Sequence, residues 1–278
     1  MNKPVAITER AQKRAPSREK KQRLDVLLLE RELVESRRRG QALIMAGRVQ
    51  VNGQVALKAG MPVPVDAVIQ VKEPVKYVSR GGQKLEGALA HFKIDPVAMV
   101  CADIGASNGG FTDCLLQHGA SRVIAIDVGY GQLAWKLHAD PRVIVMDRVN
   151  IRQLQALEEL VDLAVIDVSF ISLTLVLPVA QKFLQPWGEV IALIKPQFEA
   201  GREQVGKGGI IRDPRVHAQT IQKIAEHALQ RDWRVLGLCR SPITGADGNQ
   251  EFFIHLAIDP LRANLDVANE LATLIKIE

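Results

Sequence analysis

Apolar and polar positions change their period twice along the chain. In the first stretch Leu24, Leu27, Leu28 and Leu33 fall near helical spacing. Ser36 is placed to cap a second helix, S-R-R-R-G-Q-A-L-I-M-A-G, which should stop at Gly47. V-Q-V-N-G-Q-V follows, two alternating runs around Asn52-Gly53, a strong hairpin signal. A last short strand is expected over Val68–Val71, ahead of Pro74. Beyond Gly82 the texture changes to short apolar runs at Val100–Ile104, Arg122–Ile126, Val143–Met146, Leu163–Ile166, Glu189–Ile194, Val235–Cys239 and Phe252–Ala257. Amphipathic stretches such as Gly110–Gln117 and Val216–Gln230 separate them. This alternation predicts an α/β domain with a mostly parallel seven-stranded sheet under helices, preceded by a small α+β domain. In such sheets ligands meet the carboxyl ends of the strands.

Charge divides at the same place. Of 278 residues, 47% are hydrophobic and 24% charged, enough apolar material for a sizeable core. The net charge of +5 hides 17 Lys and Arg against 8 Asp and Glu up to Gly82, and 19 against 23 after it. A basic first third on an acidic remainder suits a polyanion-binding module, although residues 1–20 alone read rather as a solvated, mobile basic tail. Arg37, Arg38, Arg39, Arg48 and Lys58 would present a basic face to phosphates. The longest apolar stretch, Ala164–Ala180, contains Asp167 and Pro178 and is too polar and short to span a bilayer. No apolar segment follows the basic N-terminus, which argues against a secretory signal. Cys101, Cys114 and Cys239 lie far apart without C-x-x-C spacing, pointing to a reducing cytoplasm and away from zinc or disulfides. The six histidines have no metal spacing either, so no metal is expected.

The strand ends carry the chemistry. The first apolar run ends in A-D-I-G-A-S-N-G-G-F-T, where Gly105, Gly109 and Gly110 let the backbone turn tightly around a ligand. Asp127 ends the second strand, where a carboxylate can take two ribose hydroxyls, and Asp147 ends the third, within reach of an adenine edge. Either carboxylate alone serves equally as a turn cap. The three features on successive strands favour an adenosine pocket, and the turn fits a nicotinamide fingerprint poorly. In its D-x-G-x-S-x-G-G-F-T form it resembles S-adenosylmethionine-dependent methyltransferases. That resemblance implies a cofactor site at Asp103, Gly105, Ala106, Ser107, Gly109, Gly110, Phe111, Asp127 and Asp147.

The methyl acceptor narrows by elimination. The turn after the fourth strand reads D-V-S-F-I-S, without the Asn/Asp-Pro-Pro-aromatic pattern of base-amine methylation. Methylation at C5 of cytosine needs a thiol nucleophile, and the three cysteines fall inside predicted strands or a helix. Four charged residues remain at element ends: Lys84 in S-R-G-G-Q-K-L, Asp167, Lys195 in L-I-K-P-Q-F-E, and Glu251 in G-N-Q-E-F-F. Any one of them is an ordinary salt-bridge partner. Together they resemble the Lys-Asp-Lys-Glu set of the FtsJ/RrmJ group, which methylates the 2′-hydroxyl of RNA. The resemblance implies Lys195 as base, Asp167 orienting it, and Lys84 with Glu251 positioning the ribose. Paired ammonium groups ease loss of a proton from one of them.

R-L-D-V-L-L-L-E-R, with S-R-R-R-G-Q-A-L-I-M-A-G-R-V-Q-V-N-G, resembles the small RNA-binding domain named after ribosomal protein S-four. It implies a structured RNA partner, a protein-binding role being the alternative. Taken in order, the motifs over Arg23–Leu256 resemble the TlyA (hemolysin A) family of bacterial rRNA methyltransferases. That implies 2′-O-methylation of a cytidine in 16S rRNA, 23S rRNA or both, on ribosomal RNA or subunits, with Arg23 and Arg80 joining the five cations above on RNA. The expected organisation is a basic extension over 1–20, the RNA-binding domain over 21–74, a linker over 75–80 and the methyltransferase over 81–278. Residues 197–213 read as a glycine-rich mobile lid whose Arg202, Lys207 and Arg212 either touch RNA or face solvent. A cytoplasmic monomer is favoured. The competing readings are a non-catalytic ribosome-assembly factor and, from the family name, a cytolysin, for which no amphipathic or spanning segment is evident.

Overall fold

The protein is described from a computed structural model that covers residues 20–72 and 76–275. The extension expected over 1–20 lies, apart from Lys20, outside the described residues, as do residues 73–75 of the domain junction. The chain divides after Pro74 into two compact units.

The smaller unit runs through β1 (Lys21–Arg23), α1 (Leu24–Glu30), α2 (Arg37–Met45), β2 (Val49–Val51), β3 (Gln54–Ala56), β4 (Pro62–Pro64) and β5 (Ile69–Val71). β2 is the centre of a three-stranded antiparallel sheet, and β1 pairs with β4. Ser36 Oγ accepts the Arg39 amide at 3.2 Å, the capping bond expected at α2, worth about 1 kcal/mol. Asn52 (φ 48°) and Gly53 (φ 81°) both take positive φ, as a two-residue hairpin requires. Asn52 Oδ1 also accepts the Val68 amide, which ties the hairpin to the approach of β5. Helix α1 is shorter than the leucine spacing suggests. It ends at Glu30, Glu32 turns left-handed, and Leu33 is exposed rather than part of the helical face. Leu24, Leu27, Leu28, Leu43, Ile44 and Val49 form the core.

The larger unit opens on α3 (Gly81–Phe92) and alternates β6 (Val100–Ile104), α4 (Gly110–Gln117), β7 (Arg122–Ile126), α5 (Trp135–His138), β8 (Val143–Met146), β9 (Val161–Ile166), α6 (Leu173–Ala180) and β10 (Leu184–Ile194). Then come α7 (Pro196–Glu199), α8 (Pro214–Leu229), β11 (Arg234–Arg240), β12 (Phe252–Ala257) and α9 (Val267–Leu274). The sheet order is β11-β12-β10-β9-β6-β7-β8, and β12 alone in it runs antiparallel to its neighbours. All seven expected strands are present; β9 and β10 start earlier than their apolar runs, at Val161 and Leu184. The run Ala164–Ala180 divides into the end of β9, a loop, and α6 with Pro178 inside it. Among the described residues no helix is long and apolar enough to cross a membrane.

Two segments differ from expectation. Residues 76–80, read as linker, pack into this unit: Tyr77 is buried in its core and the Val78 amide donates to the Asp113 carboxylate at 2.8 Å. The segment 197–213 is not a free lid. It holds α7 and two short 3-10 turns, buries Ile211, and is bound by Asn249, which accepts the Ile211 amide and donates to the Gly209 carbonyl. Arg202, Lys207 and Arg212 are exposed on it.

Candidate active site

The carboxyl ends of β6, β9 and β10 converge on a cavity of about 460 Å³. Its wall begins at the β6–α4 turn, where Gly105 (φ 89°) and Gly109 (φ 88°) adopt a conformation that other residues rarely take. A Cβ on Gly105 would stand 2.4 Å from the Asp167 carbonyl, so the turn can lie this close to the fourth strand end only as glycine. Gly105, Ala106, Ser107, Gly110 and Phe111 line the cavity, with Asn108, which the sequence reading passed over.

Beneath the turn, Asp103 is wholly buried. Its Oδ2 accepts the Thr112 amide and hydroxyl at 2.8 and 2.6 Å, which anchors α4 to β6. Oδ1 has no hydrogen-bond partner among the described residues. Burial pushes this carboxyl up to about 7; the Thr112 bonds oppose the shift and the nearby Asp167 charge adds to it. Asp103 therefore holds the turn from below, out of the cavity.

Asp127 and Asp147 do not line the cavity; they stand at the next two strand ends. Asp127 accepts the amides of Ser107 at 2.8 Å and Gly129 at 2.7 Å, and Asp147 accepts Gly131 at 2.8 Å. Each thus performs the turn-capping role anticipated as the alternative, while keeping lone pairs on its oxygens. The Gln132 side chain lies beside Asp127, with its carbonyl 3.5 Å from Ser107 Oγ.

The four charged residues gather as two ion pairs. Lys84 on α3 places Nζ 2.5 Å from Glu251 Oε2, both nearly excluded from solvent. Lys195 Nζ stands 2.6 Å from Asp167 Oδ1, off the alignment of a hydrogen bond, and donates to Ser169 Oγ at 2.9 Å. Burial pushes the Glu251 carboxyl upward, opposed by Lys84 and Lys195, and Asp167 adds to the rise. Both pairs therefore share one electrostatic neighbourhood. Lys84, Asp167 and Lys195 line the cavity, and Glu251 sits behind Lys84. Thr244 and Ala246, on the loop before β12, also line the cavity.

The cysteines lie in β6, α4 and β11; all are buried and pushed up to about 12 by burial, which leaves no thiolate for attack on a base. Three unread residues of the quoted motifs gather beside Lys195. Phe170 (φ 62°) is 90% exposed and packs on Phe198, their ring centroids 4.9 Å apart, with Ser169 beneath them against Lys195. Their signal was the D-V-S-F-I-S and K-P-Q-F-E strings themselves, in which an aromatic follows the charged residue by three positions. Among the described residues no His, Cys, Asp or Glu group could hold a metal ion.

The basic residues separate into two classes. Asp25, with no exposure, accepts Arg23 at 3.0 Å on each oxygen, and Arg37 Nε and Gln41 Nε2 at 2.8 Å. The bonds from Arg23 hold its carboxyl well below the ordinary range. Arg23 and Arg37 thus join β1, α1 and α2, with only half of each side chain facing solvent. Arg38, Arg39 and Lys58 are exposed and Arg48 half-buried, and their side chains make no hydrogen bond among the described residues. Arg80, expected on RNA, belongs to the larger unit, where it donates to the Thr244 carbonyl at 2.8 Å and lines the cavity.

Residues 77–258 match the FtsJ-like methyltransferase family, and residues 22–69 match the S4 domain. The chain is 50% identical over 241 residues to a candidate rRNA methyltransferase, YqxC, of Bacillus subtilis, covering 85% of this chain and 86% of that one. It is 43% identical over 245 residues to the 16S/23S rRNA (cytidine-2′-O)-methyltransferase TlyA of Mycobacterium tuberculosis, covering 87% and 91%. A solved structure of a candidate hemolysin from Streptococcus thermophilus matches with TM-score 0.69 at 43% identity, over 92% of this chain and 96% of that one.

Proposed function

The chain belongs to the FtsJ-like methyltransferase family, with an S4 domain ahead of the catalytic unit, and we propose that it methylates the ribose 2′-hydroxyl of a cytidine in ribosomal RNA. The M. tuberculosis relative is named for that reaction on 16S and 23S rRNA. The observation that carries the reading is the convergence of Lys84, Asp167 and Lys195 on one cavity, with Glu251 behind Lys84 and the glycine turn in the wall.

The methyl donor in this reading is S-adenosylmethionine, which supplies an electrophilic methyl group on a sulfonium. The residues present fit it. The Gly105 turn brings bare backbone to the cavity wall against the Asp167 carbonyl, and Asp127 lies one strand away with lone pairs suited to ribose hydroxyls. Asp147 is the residue for the adenine edge, on the strand beyond.

The protein's own work is to orient the acceptor and relieve it of a proton. In its uncharged form, Lys195 Nζ takes the hydroxyl proton as the oxygen gains the methyl. Asp167, 2.6 Å away, then faces the new ammonium, and Ser169 holds the direction of Nζ. Lys84, immobilised by Glu251, donates toward the ribose from the other wall. Phe170 offers an exposed ring beside this centre, on which an unstacked nucleobase can lie. Arg38, Arg39, Arg48 and Lys58 of the smaller unit contact RNA phosphates.

The test is to incubate the protein with isotopically labelled S-adenosylmethionine and small subunits, large subunits or naked rRNA that lack the modification. Label in alkali-resistant dinucleotides is the expected result, and the favoured particle identifies the target. No transfer to any of them, with cofactor binding demonstrated, would overturn the proposal in favour of an assembly factor.

A further inference from the structure

Two loops carry the proposed base and its carboxylate partner, and three contacts join them like rungs. Lys195 Nζ donates to Ser169 Oγ at 2.9 Å; the Phe198 and Phe170 rings pack at 4.9 Å; Glu199 takes both the Ser172 hydroxyl, at 2.6 Å on Oε2, and the Leu173 amide, at 2.7 Å on Oε1. The rungs run in one order along 195–199 and 169–173, because α7 is a single turn and places positions 195, 198 and 199 on one side of it. Glu199 lies outside the cavity lining and is only 5% exposed. A carboxylate is expensive to bury, and burial pushes this one upward despite its donors. Ser172 caps α6 through the Thr174 amide and Glu199 takes the buried Leu173 amide beside it, so the carboxylate ties the helix start to the Lys195 loop.

Resting on the function proposed above, we infer that Glu199 is a positioning residue that holds the Lys195 loop against the Asp167 loop, so that Nζ keeps its place relative to Asp167 and the ribose. Lys223 secures the arrangement from α8, donating to the Glu199 carbonyl at 2.8 Å with its ammonium 3.6 Å from Oε2.

The test compares wild type with Glu199→Ala, Glu199→Gln and Ser172→Ala in steady-state methylation of unmodified ribosomal subunits, with cofactor affinity and Tm measured alongside. Glu199→Ala is expected to lower kcat about 10- to 100-fold, the cost of a displacement of order 1 Å in an oriented reaction, with KM for RNA and cofactor Kd within about twofold. Glu199→Gln should restore most of the rate, because its carbonyl still accepts the Leu173 amide and its amide can donate to Ser172. Unchanged kcat in the Ala variant would overturn the proposal, as would equal loss of kcat, cofactor affinity and Tm in both Glu199 variants. Should Glu199→Ala not fold, Ser172→Ala removes one of the two bonds of that rung and keeps the Leu173 bond; a full rate there also overturns it.

A second readout separates this proposal from the function it rests on. Under limited acetylation, the ratio of labelling at Lys195 to that at Lys84 should rise several-fold in Glu199→Ala, whether or not RNA is methylated. An unchanged ratio refutes the clamp. No methyl transfer by the wild type, together with the rise in Glu199→Ala, refutes only the assigned reaction.

Discussion

Two cavities of nearly equal volume, about 460 and 470 Å³, open at opposite ends of the same sheet. At the amino ends of β6, β9 and β10 the second is lined by Phe92, Ile94, Met99 and Trp187, and its carboxylates all have hydrogen-bond partners. Glu189 bonds His255 and Arg262 at 2.8 Å each, and Asp162 takes the Val100 amide and the Trp187 indole. At the carboxyl ends, Lys195 and Asp167 sit in a contact not aligned as a hydrogen bond, and Asp167 Oδ1 has no hydrogen-bond partner among the described residues. Volume therefore does not mark the site. What distinguishes the carboxyl-end cavity is an ion pair in its wall with an oxygen left open, which a ligand can complete.

The contrast can be broken most directly at Lys195. Lys195→Ala is expected to lower kcat for methyl transfer by about 10²- to 10⁴-fold, the range for a positioned proton acceptor, with cofactor affinity nearly unchanged by calorimetry. Retained activity would remove the chemical distinction between the ends. Next in size, Asp127→Ala should weaken cofactor binding about 10- to 100-fold, since hydrogen bonds to a charged group contribute about 1.5–3 kcal/mol.

A pH series sharpens the comparison at Asp103. Its carboxyl is raised from 3.8 to about 7 in the fold, so the native state binds this proton more tightly than the unfolded chain does. The stability it contributes is complete below about pH 4 and is lost as pH rises toward 7. Asp103→Asn should flatten the fall of Tm across that interval; an unaltered slope would mean that another group governs it.

Smaller effects are expected away from the catalytic unit's cavity. Arg38→Ala and Arg39→Ala should each make the dependence of log RNA affinity on log salt shallower, by about 0.7 for a contact to single-stranded RNA. Cofactor affinity should not change. The smallest effect belongs to the other end of the sheet: Trp187→Ala is expected to leave methyl transfer at the wild-type rate, and a marked loss would show that this cavity too serves the reaction.

Much of this was legible in the residue order. Asn52-Gly53, the Ser36 cap and the seven apolar runs correspond to local preferences that the fold obeys. The lid and linker readings missed these contacts for one reason: the partners that hold both segments lie far away in sequence. Asn249 and Asp113 bind them across 38 and 35 positions. The bond from Arg23 to Asp25 was out of sight similarly, because a surface arginine and one held on a buried carboxylate have the same local pattern.

Sequence alone determined the order of elements, the two-part charge and the four charged positions at element ends, because periodicity, caps and turns act over a few residues. The tertiary structure alone decided which charges meet. Lys84 pairs with Glu251 across 167 positions, and Lys195 faces Asp167 rather than its neighbours in sequence. The strength of a charge pair depends on separation and burial, and both are set only when the strand ends come together.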